Sequence, residues 1–538
     1  MQTNIVDIII VVIVVVTLAA LLYWMLGRKK PEVYYFLPGE VIFKIRHQPA
    51  ALPQNAEEIR AGIVAAIGEF LSSDKNALQE GSVNDTQSGD RAWRNRLALP
   101  DSTSKVITFP FTNERGLAYS LVRVPVKGYD PERDMDIKPV ISILRAAYAE
   151  LKQNNSLPMP NGYVIEGFSL NWLMGNLHHG GATGGPGGRP VKAPEPRANE
   201  QDFRIISSAT SLINTVNIPR QTNAYVAILD TAPTHTALSN ALHKWVGRPS
   251  IPDHPLVKVL FGPNGKLTVH HASPATLHEM EHFSPVLHNY LMPDHGTFIA
   301  GIINSGAPDA TLHLYEVLSR YGVGTFTSVA QGFLDATRNL GRPLIINCSF
   351  MFCLPDGDYG AQLVAELGIE FDDLEKTIRE LFEDIADPHI ILVASAGNDS
   401  TTQARKAARY PAAFRNVIGV GALPKGSPQL NNRYVPASYS NLADDPPEDG
   451  FMTLGGEPGA GQGIRGMYIS DLPGLLSSND TGWAWWAGTS FATAIITGLL
   501  AAEITSNSGF RQPTSGETIP SGPYRTTRNE PVILVNQG

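Results

Sequence analysis

Cysteine and basic charge are both scarce in this chain of 538 residues. Its only two cysteines are Cys348 and Cys353, so no disulfide framework holds the fold, and neither residue stands in a catalytic pattern. Lysine and arginine number 42 against 51 aspartates and glutamates, which gives a net charge of -9. Nucleic acid binding requires a clustered basic surface that the sequence does not provide, so we expect no nucleic acid partner. No internal repeat is visible.

The residues that are present are those of a globular protein with one membrane segment. Apolar residues make up 43% of the chain and charged residues 17%. Within residues 1–30, the uncharged run from Ile8 to Leu26 is about as long as a helix needs to span a bilayer core. Three basic residues, 28–30, follow the run instead of preceding it, which argues against a cleaved signal peptide. We expect a single transmembrane anchor, and the positive-inside bias favours a cytoplasmic location for the rest of the chain.

Two segments separate this anchor from the largest part of the chain. Residues 31–177 contain the strand patterns "PGEVIFKI", "LAYSLVRVPV" and "GYVIEGFSL", and helical patterns starting at Asn55 and covering "KPVISILRAAYAEL". They predict a small α+β domain. Residues 178–200 are rich first in glycine and then in proline, a composition that predicts a flexible linker.

Residues 201–505 have a different texture, made of short, continuous apolar runs. The clearest are "AYVAILD", "PLIINCS", "HIILVASAGN" and "NVIGVGAL". Runs that are apolar on both faces suit strands covered by helices on either side, so we predict an α/β fold with a doubly wound, mostly parallel sheet. Functional groups of such sheets collect at the carboxyl ends of the strands, where Asp230 and Asn398 stand. Residues 506–538 are polar and rich in proline and glycine, which predicts a loosely packed tail.

Four segments of this part carry residues of catalytic type, in a fixed order. They are "AILDTA" with Asp230, "DHGTFIAGII" with His295, "VASAGND" with Asn398 and "WAGTSFATAIITGLLA" with Ser490. Each motif alone is equally typical of a helix cap or a tight turn, whereas the four in this order resemble the subtilisin-like serine proteases, the subtilases. The resemblance covers roughly residues 223–504.

The resemblance implies a serine endopeptidase that acts on proteins or peptides and requires no cofactor. Ser490 would be the nucleophile, His295 its general base and Asp230 the residue that orients the imidazole. The side-chain amide of Asn398 and the backbone N–H of Ser490 would form the oxyanion hole. A structural calcium ion and the oligomeric state stay open.

Substrate would bind as an added strand between two segments of the sheet. The residues expected to line this cleft are Ser349, Phe350, Met351, Ala394, Ser395, Ala396 and Gly397. The family usually has glycines where Met351 and Phe352 stand. These two side chains would narrow the cleft if they point into it and would leave it unchanged if they point into the core.

A zinc protease is the alternative chemistry, because "HEMEHFSPVLH" places His278, His282 and His288 at the spacing of zinc ligands, with Glu279 as a possible base. The position that needs a turn-forming glycine holds Pro285, whose φ is fixed negative. A surface helix rich in histidine and glutamate explains the segment without a metal, so we predict no catalytic metal.

The segments before residues 201–505, which we call the catalytic part, leave two further interpretations. Subtilases are commonly made with an N-terminal propeptide that blocks the cleft until it is cut away, and residues 31–177 resemble one in position and pattern. A permanent accessory domain fits the same sequence. A pseudoprotease that serves as a binding module is the second function class, and the presence of all three triad residues argues against it.

Overall fold

The computed structural model describes residues 36–37, 39–48, 56–77, 93–100, 106–112, 118–129, 138–175, 188–196, 203–205, 221, 223–247, 252–287, 291–352, 365, 371–383, 387–431, 433–443, 450–473, 479–505 and 532–537. The predicted transmembrane run falls within residues 1–35, outside these ranges. Across the ranges given, no helix combines the length and the apolar character needed to cross a bilayer. The anchor therefore stays a prediction.

The first part of the chain forms an antiparallel sheet with helices on it, which we call the front domain. Its strands are β1 (Glu40–His47), β2 (Val106–Thr112), β3 (Ala118–Pro125), β4 (Leu157–Pro158) and β5 (Val164–Ser169). They lie in the order β2-β3-β1-β5-β4. The helices are α1 (Ala56–Ala77) and α2 (Lys138–Asn154), with 3-10 turns at Arg94–Arg96 and Pro160–Gly162. Helix α2 buries Val140, Ile143, Leu144 and Ala147, which recur at helical spacing. They form the apolar face of an amphipathic helix, and burial of this face holds the helix in place. The three strands and two helices predicted from the sequence are confirmed.

The remaining elements follow in chain order, and the first of them, β6, lies at the end of the front domain. The strands are β6 (Leu173–Gly175), β7 (Val191–Lys192), β8 (Phe203–Ile205), β9 (Tyr225–Asp230), β10 (Leu267–His270), β11 (Thr311–Glu316), β12 (Val323–Thr325), β13 (Leu344–Cys348), β14 (Met351–Phe352), β15 (Ile390–Ser395), β16 (Val417–Leu423), β17 (Gln429–Leu430), β18 (Arg433–Tyr434), β19 (Phe451–Leu454), β20 (Ile464–Met467), β21 (Trp483–Trp486) and β22 (Val535–Gln537). The helices are α3 (His235–Trp245), α4 (Pro255–Phe261), α5 (Pro274–Leu287), α6 (His295–Gly306), α7 (Phe326–Asn339), α8 (Phe371–Glu383) and α9 (Thr489–Thr505).

A seven-stranded sheet in the order β10-β11-β9-β13-β15-β16-β19 forms the centre of this part. All of its described neighbours pair in parallel. Val226 and Ile228 of β9 join an apolar cluster with α6 and α9, whereas Ala227 and Leu229 join a second cluster with α7 and α8. Helices thus cover both faces, and burial on both faces explains the continuous apolar runs of these strands. The predicted doubly wound parallel sheet is confirmed.

The front domain packs directly against the catalytic part. The apolar cluster on the α7 and α8 side of the large sheet continues into the front domain, where it includes Phe43 and Phe168. Lys44 forms an ion pair with Glu380 of α8, and the hydroxyl of Tyr119 donates to the carbonyl oxygen of Glu380 at 3.2 Å. Contacts group residues 35–538 into one compact unit.

The segment predicted as a flexible linker, residues 178–200, is ordered at its centre. Val191–Lys192 forms β7 and pairs with β21. The backbone N–H of Ala193 donates to the carbonyl oxygen of Trp483 at 3.1 Å, and Trp486 Nε1 donates to that of Gly188 at 2.8 Å. Flexibility is therefore the wrong prediction for residues 188–193. In each of these bonds the segment contributes a backbone group, and side-chain composition does not predict how backbone groups pair.

The predicted loose tail, residues 506–538, also contains an ordered segment. Strand β22 pairs with β8, and residues 532–535 are buried. The side chain of Gln537 exchanges hydrogen bonds with the backbone of Arg465, at 2.8 and 2.7 Å. The prediction of loose packing is wrong for residues 532–537, because the apolar residues "VILV" within this polar stretch are buried.

Candidate active site

A histidine and an aspartate meet at the carboxyl end of β9. Asp230 ends this strand, His295 begins α6, and both are fully buried. Nδ1 of His295 donates to the two carboxylate oxygens of Asp230, at 2.8 and 2.9 Å. The helix approaches the strand this closely because residue 296 is glycine: a Cβ there would lie 2.3 Å from the carbonyl oxygen of Thr231. The pairing fixes the tautomer of His295 with its proton on Nδ1.

The other ring nitrogen of His295, Nε2, is buried and has no hydrogen-bond partner among the described residues. Aromatic rings surround it: Trp486 lies edge-on with ring centroids 5.2 Å apart, and Phe491 lies at 5.5 Å. A neutral imidazole with an unshared pair in such surroundings can accept a proton.

The hydroxyl of Ser490 belongs to the start of α9. Ser490 is the second residue of this helix and is fully buried. Its Oγ donates to the carbonyl oxygen of Ser349 at 3.2 Å instead of to His295. The positive end of the helix dipole favours negative charge at this position. Oγ of Ser490 and Nε2 of His295 are not joined by a hydrogen bond in this arrangement.

The side chain of Asn398 is held by the residue that precedes Ser490. Asn398 Oδ1 accepts the backbone N–H and the hydroxyl of Thr489, both at 2.9 Å. The hydroxyl of Thr489 in turn accepts the N–H of Gly397 at 3.3 Å. Both hydrogen bonds from Thr489 are accepted by Oδ1, so they leave the NH₂ group of Asn398 for another acceptor. This is the orientation that an oxyanion donor requires.

The loop that carries Asn398 is fixed by a buried carboxylate. Asp399 accepts from Lys406 Nζ at 2.9 Å, from Arg409 Nε at 3.1 Å and from Asn441 Nδ2 at 2.6 Å. Burial alone would raise the pKa of Asp399, but the hydrogen bonds and charges of these partners lower it below its usual range. The loop is thus held by charge-assisted hydrogen bonds one residue away from Asn398.

A strand from the end of the front domain lies beside these residues. β6 is the middle strand of a three-stranded antiparallel sheet in the order β12-β6-β14. Gly175 is paired with Val323 on one side and with Met351 on the other. The carbonyl oxygen of Trp172 accepts the N–H of Phe326 at 2.7 Å. The front domain therefore fills the groove between two strands of the catalytic part.

The predicted substrate-binding residues divide between this groove and the core. Met351 pairs with β6, and the carbonyl oxygen of Ser349 holds Ser490. Phe350 and Phe352 belong to the apolar core, where Phe352 lies edge-on to Phe382 with ring centroids 5.7 Å apart. Phe352 therefore points into the core, the second of the two orientations considered from the sequence, and does not narrow the groove.

The second group of predicted substrate-binding residues comprises the last two residues of β15 and the two residues that follow it. Ala394 and Ala396 are fully buried in the core, and Ser395 is buried between them. Gly397 adopts a φ of +109° and turns the chain toward Asn398.

The zinc alternative finds little support in the described residues. His278 lies exposed on α5. The side chains of Glu279 and His282, and all of His288, lie outside the described residues. Among the residues that are described, no group of three or more histidine, cysteine or acidic side chains could hold a metal ion.

Reasoning from sequence missed the residues that hold the site together. Thr489 supports Asn398, and Asp399 anchors its loop. Asn171 of the front domain accepts the N–H of Thr327 at 3.1 Å at the start of α7. Thr489 could have been found, since it precedes the nucleophile in "GTS". The contact of Asn171 with Thr327 joins positions 156 residues apart and has no local signal.

Comparison with known proteins gives one family and a few relatives. The model of the subtilase family, Peptidase_S8, matches residues 221–519, more than half of the chain. Subtilisin DY of Bacillus licheniformis is 25% identical over 202 residues, which are 34% of this chain and 66% of that protein. The chain thus spans slightly less than two thirds of this relative.

Two solved structures are similar over longer stretches. The epidermin leader peptide processing serine protease of Staphylococcus aureus has a TM-score of 0.39 and 16% identity, covering 78% of this chain and 87% of that one. The prenylagaramide maturation protease PagA has a TM-score of 0.30 and 17% identity, covering 55% and 79%. Both scores lie below 0.5, so the assignment rests on the family match. The chain belongs to the subtilase family.

Proposed function

We propose that this protein is a serine endopeptidase that hydrolyses peptide bonds of proteins or peptides, with Ser490 as nucleophile, His295 as general base and Asp230 as its orienting partner. The observation that carries the proposal is the state of His295. Nδ1 is bound by both carboxylate oxygens of Asp230, and Nε2 is buried with no partner among the described residues. Such an imidazole is set up to take a proton at Nε2.

Each bond change has a residue to support it. Ser490 Oγ forms a bond to the carbonyl carbon of the substrate while its proton passes to Nε2 of His295. The negative charge on the carbonyl oxygen is stabilised by the amide of Asn398 and the backbone N–H of Ser490. His295 then gives the proton to the departing amine as the C–N bond breaks. Water repeats the sequence on the acyl group and releases the acid.

Hydrolysis of an added protein tests this assignment. Ser490→Ala and His295→Ala should each abolish cleavage of casein, because the nucleophile or its base is lost. His278→Ala should retain it, since His278 is exposed on α5. The chelator 1,10-phenanthroline, which binds zinc in preference to calcium, should also leave cleavage unchanged. Loss of cleavage in His278→Ala, or on chelation, would favour a zinc enzyme, and no cleavage by the wild type would favour a binding module.

We propose further that the front domain keeps the enzyme latent until the chain is cut in or near the linker. Support comes from β6, which occupies the groove where an added strand of substrate would pair with β12 and β14. Wild type and Ser490→Ala should therefore differ in size after incubation, with only the wild type shortened. Equal, full-length products from an active wild type would rule out self-cleavage.

The apolar run from Ile8 to Leu26 supports a single-pass membrane anchor, with the catalytic part on the cytoplasmic side by the charge of residues 28–30. Protease added to intact cells should spare the catalytic part until the cells are permeabilised. Digestion without permeabilisation would place it outside.

A further inference from the structure

We propose that the cleft requires glycine at the third substrate residue before the cut. This inference rests on the proposed function and specifies its substrates. It starts from β6, because its residues occupy the groove as an added peptide strand would.

The position of Gly175 has no room for a side chain. Its φ is +147°, a region that L side chains rarely adopt. A Cβ at this position would lie 2.0 Å from the carbonyl oxygen of Gly322 and 3.2 Å from Cα of Val323. Both neighbours are backbone atoms, so no rotamer change can move them aside. A peptide that binds in this register with the backbone conformation of Gly175 must therefore have glycine here.

The wall formed by Gly322 is itself supported from behind. Its N–H donates to the carbonyl oxygen of Ser319 at 2.7 Å, and Ser319 N–H donates to that of Val323 at 2.7 Å. Gly322 also packs on Met292, whose sulfur lies 2.4 Å from where a Cβ of Gly322 would be. Met292 is fully buried. Retreat of the wall would break this turn or displace a core side chain.

The residue before the glycine enters an apolar pocket. Met174 is fully buried and belongs to the cluster that includes Leu318 and Phe326 of the catalytic part. Its strand neighbours Leu173 and Gly175 point to the other face, because side chains alternate along a strand. A large apolar side chain at the Met174 position therefore stabilises the bound peptide.

The pairing register gives the distance to the cut. Gly175 lies opposite Met351, and the strands are antiparallel. A peptide that continues this register places the second residue after the glycine opposite Ser349, whose carbonyl oxygen binds Ser490 Oγ. The bond to be cut then follows that second residue. In the sequence of this chain it is the bond between Leu177 and His178.

Peptides added to the full-length protein test the glycine requirement. The protein is first incubated until its hydrolysis of casein is constant. The peptide NWLMGNLHHGG should be cut after its second leucine, and replacing the first glycine with alanine should lower kcat/KM at least about tenfold. Replacing the second asparagine of this peptide with alanine is the matched control, and it should change kcat/KM less than about threefold. Equal rates for the glycine and alanine peptides, or a cut elsewhere, would overturn the inference.

The same substitutions in the chain give a second readout. Gly175→Ala should slow the cut between Leu177 and His178 by at least about tenfold, and Asn176→Ala should not. N-terminal sequencing of the shortened product should begin at His178. If casein is never cleaved, the proposed function fails; if casein is cleaved but alanine replaces glycine without loss in the peptides, only the glycine requirement fails.

Discussion

Asn398 combines a structural bond with an expected catalytic one. Its Oδ1 is engaged by the backbone and hydroxyl of Thr489, next to the nucleophile. Its NH₂ group makes neither of these bonds and can donate to an acceptor that arrives with the substrate. We predict that Asn398→Ala lowers kcat by about 10²–10³-fold with little change in KM, the effect typical of a lost oxyanion donor. Steady-state kinetics on one peptide would measure it, and a loss below about tenfold would remove Asn398 from the oxyanion hole.

Asp294, directly before His295, gives a prediction on pH. It is fully buried and accepts from the backbone and the hydroxyl of Ser470, at 2.5 and 3.0 Å. Burial raises the pKa of Asp294 to about 6, although the bonds from Ser470 oppose this shift. The folded protein therefore holds a proton on Asp294 that the unfolded chain releases near pH 4.

Because the folded-state pKa is raised, the contribution of Asp294 to stability falls as the pH rises from about 4 to about 6. Compared with Asp294→Asn, the wild type should lose about 2–3 kcal/mol of unfolding free energy across this window and then level off. Urea unfolding at pH 4, 5, 6 and 7 would measure the difference. Asp309→Asn, at an exposed site, is the control and should show no such trend. A difference independent of pH would contradict the prediction.

The loop after β15 is the element that depends most on a single charge. Asp399 binds Arg409, Lys406 and Asn441, and its lowered pKa means that its contribution is present above about pH 4 and is lost as the pH falls below that. Asp399→Asn should cost about 3 kcal/mol of unfolding free energy at pH 7, since the partly buried guanidinium of Arg409 loses its carboxylate partner. The cost should shrink toward pH 3.

Activity should fall in the same variant, because the loop positions Asn398. The control is Asp253→Asn, whose partner Lys258 is largely exposed, so its loss should change stability far less. Equal losses of stability in the two variants, measured by urea unfolding, would show that Asp399 is not a special anchor.

Elements buried on both faces were predictable, and elements made by distant pairing were not. The runs "AYVAILD" and "NVIGVGAL" became β9 and β16 because helices cover both faces of the sheet. Strands β6, β7 and β22 are short and take their partners from far along the chain. Their formation depends on tertiary pairing, which local composition does not encode. The meeting of Asp230 and His295 was predictable because the four sequence motifs have a fixed order. The supporting residues, such as Asp399, act across the fold and were not predictable.

At the scale of the whole molecule, the front domain is held to the catalytic part by a buried asparagine. Asn171 accepts the N–H of Thr327 and donates to its hydroxyl, both at 3.1 Å. Asn171→Ala leaves a buried N–H unsatisfied, at a cost of about 1–3 kcal/mol, so the front domain should dock more weakly. We predict a shorter lag before casein hydrolysis begins. Asn154→Ala, on the exposed end of α2, is the control. An unchanged or longer lag in Asn171→Ala would argue against a latent state held by this contact.

Reaction with a fluorophosphonate probe tests the central claim most directly, because the probe bonds only to a serine activated by its base. The full-length protein, incubated until casein hydrolysis is constant, should be labelled on Ser490 as located by mass spectrometry of its peptides. Ser490→Ala should remain unlabelled. Labelling of Ser490→Ala to the same extent, or a wild type that cleaves casein while Ser490 stays unmodified, would contradict the assignment of Ser490 as the nucleophile.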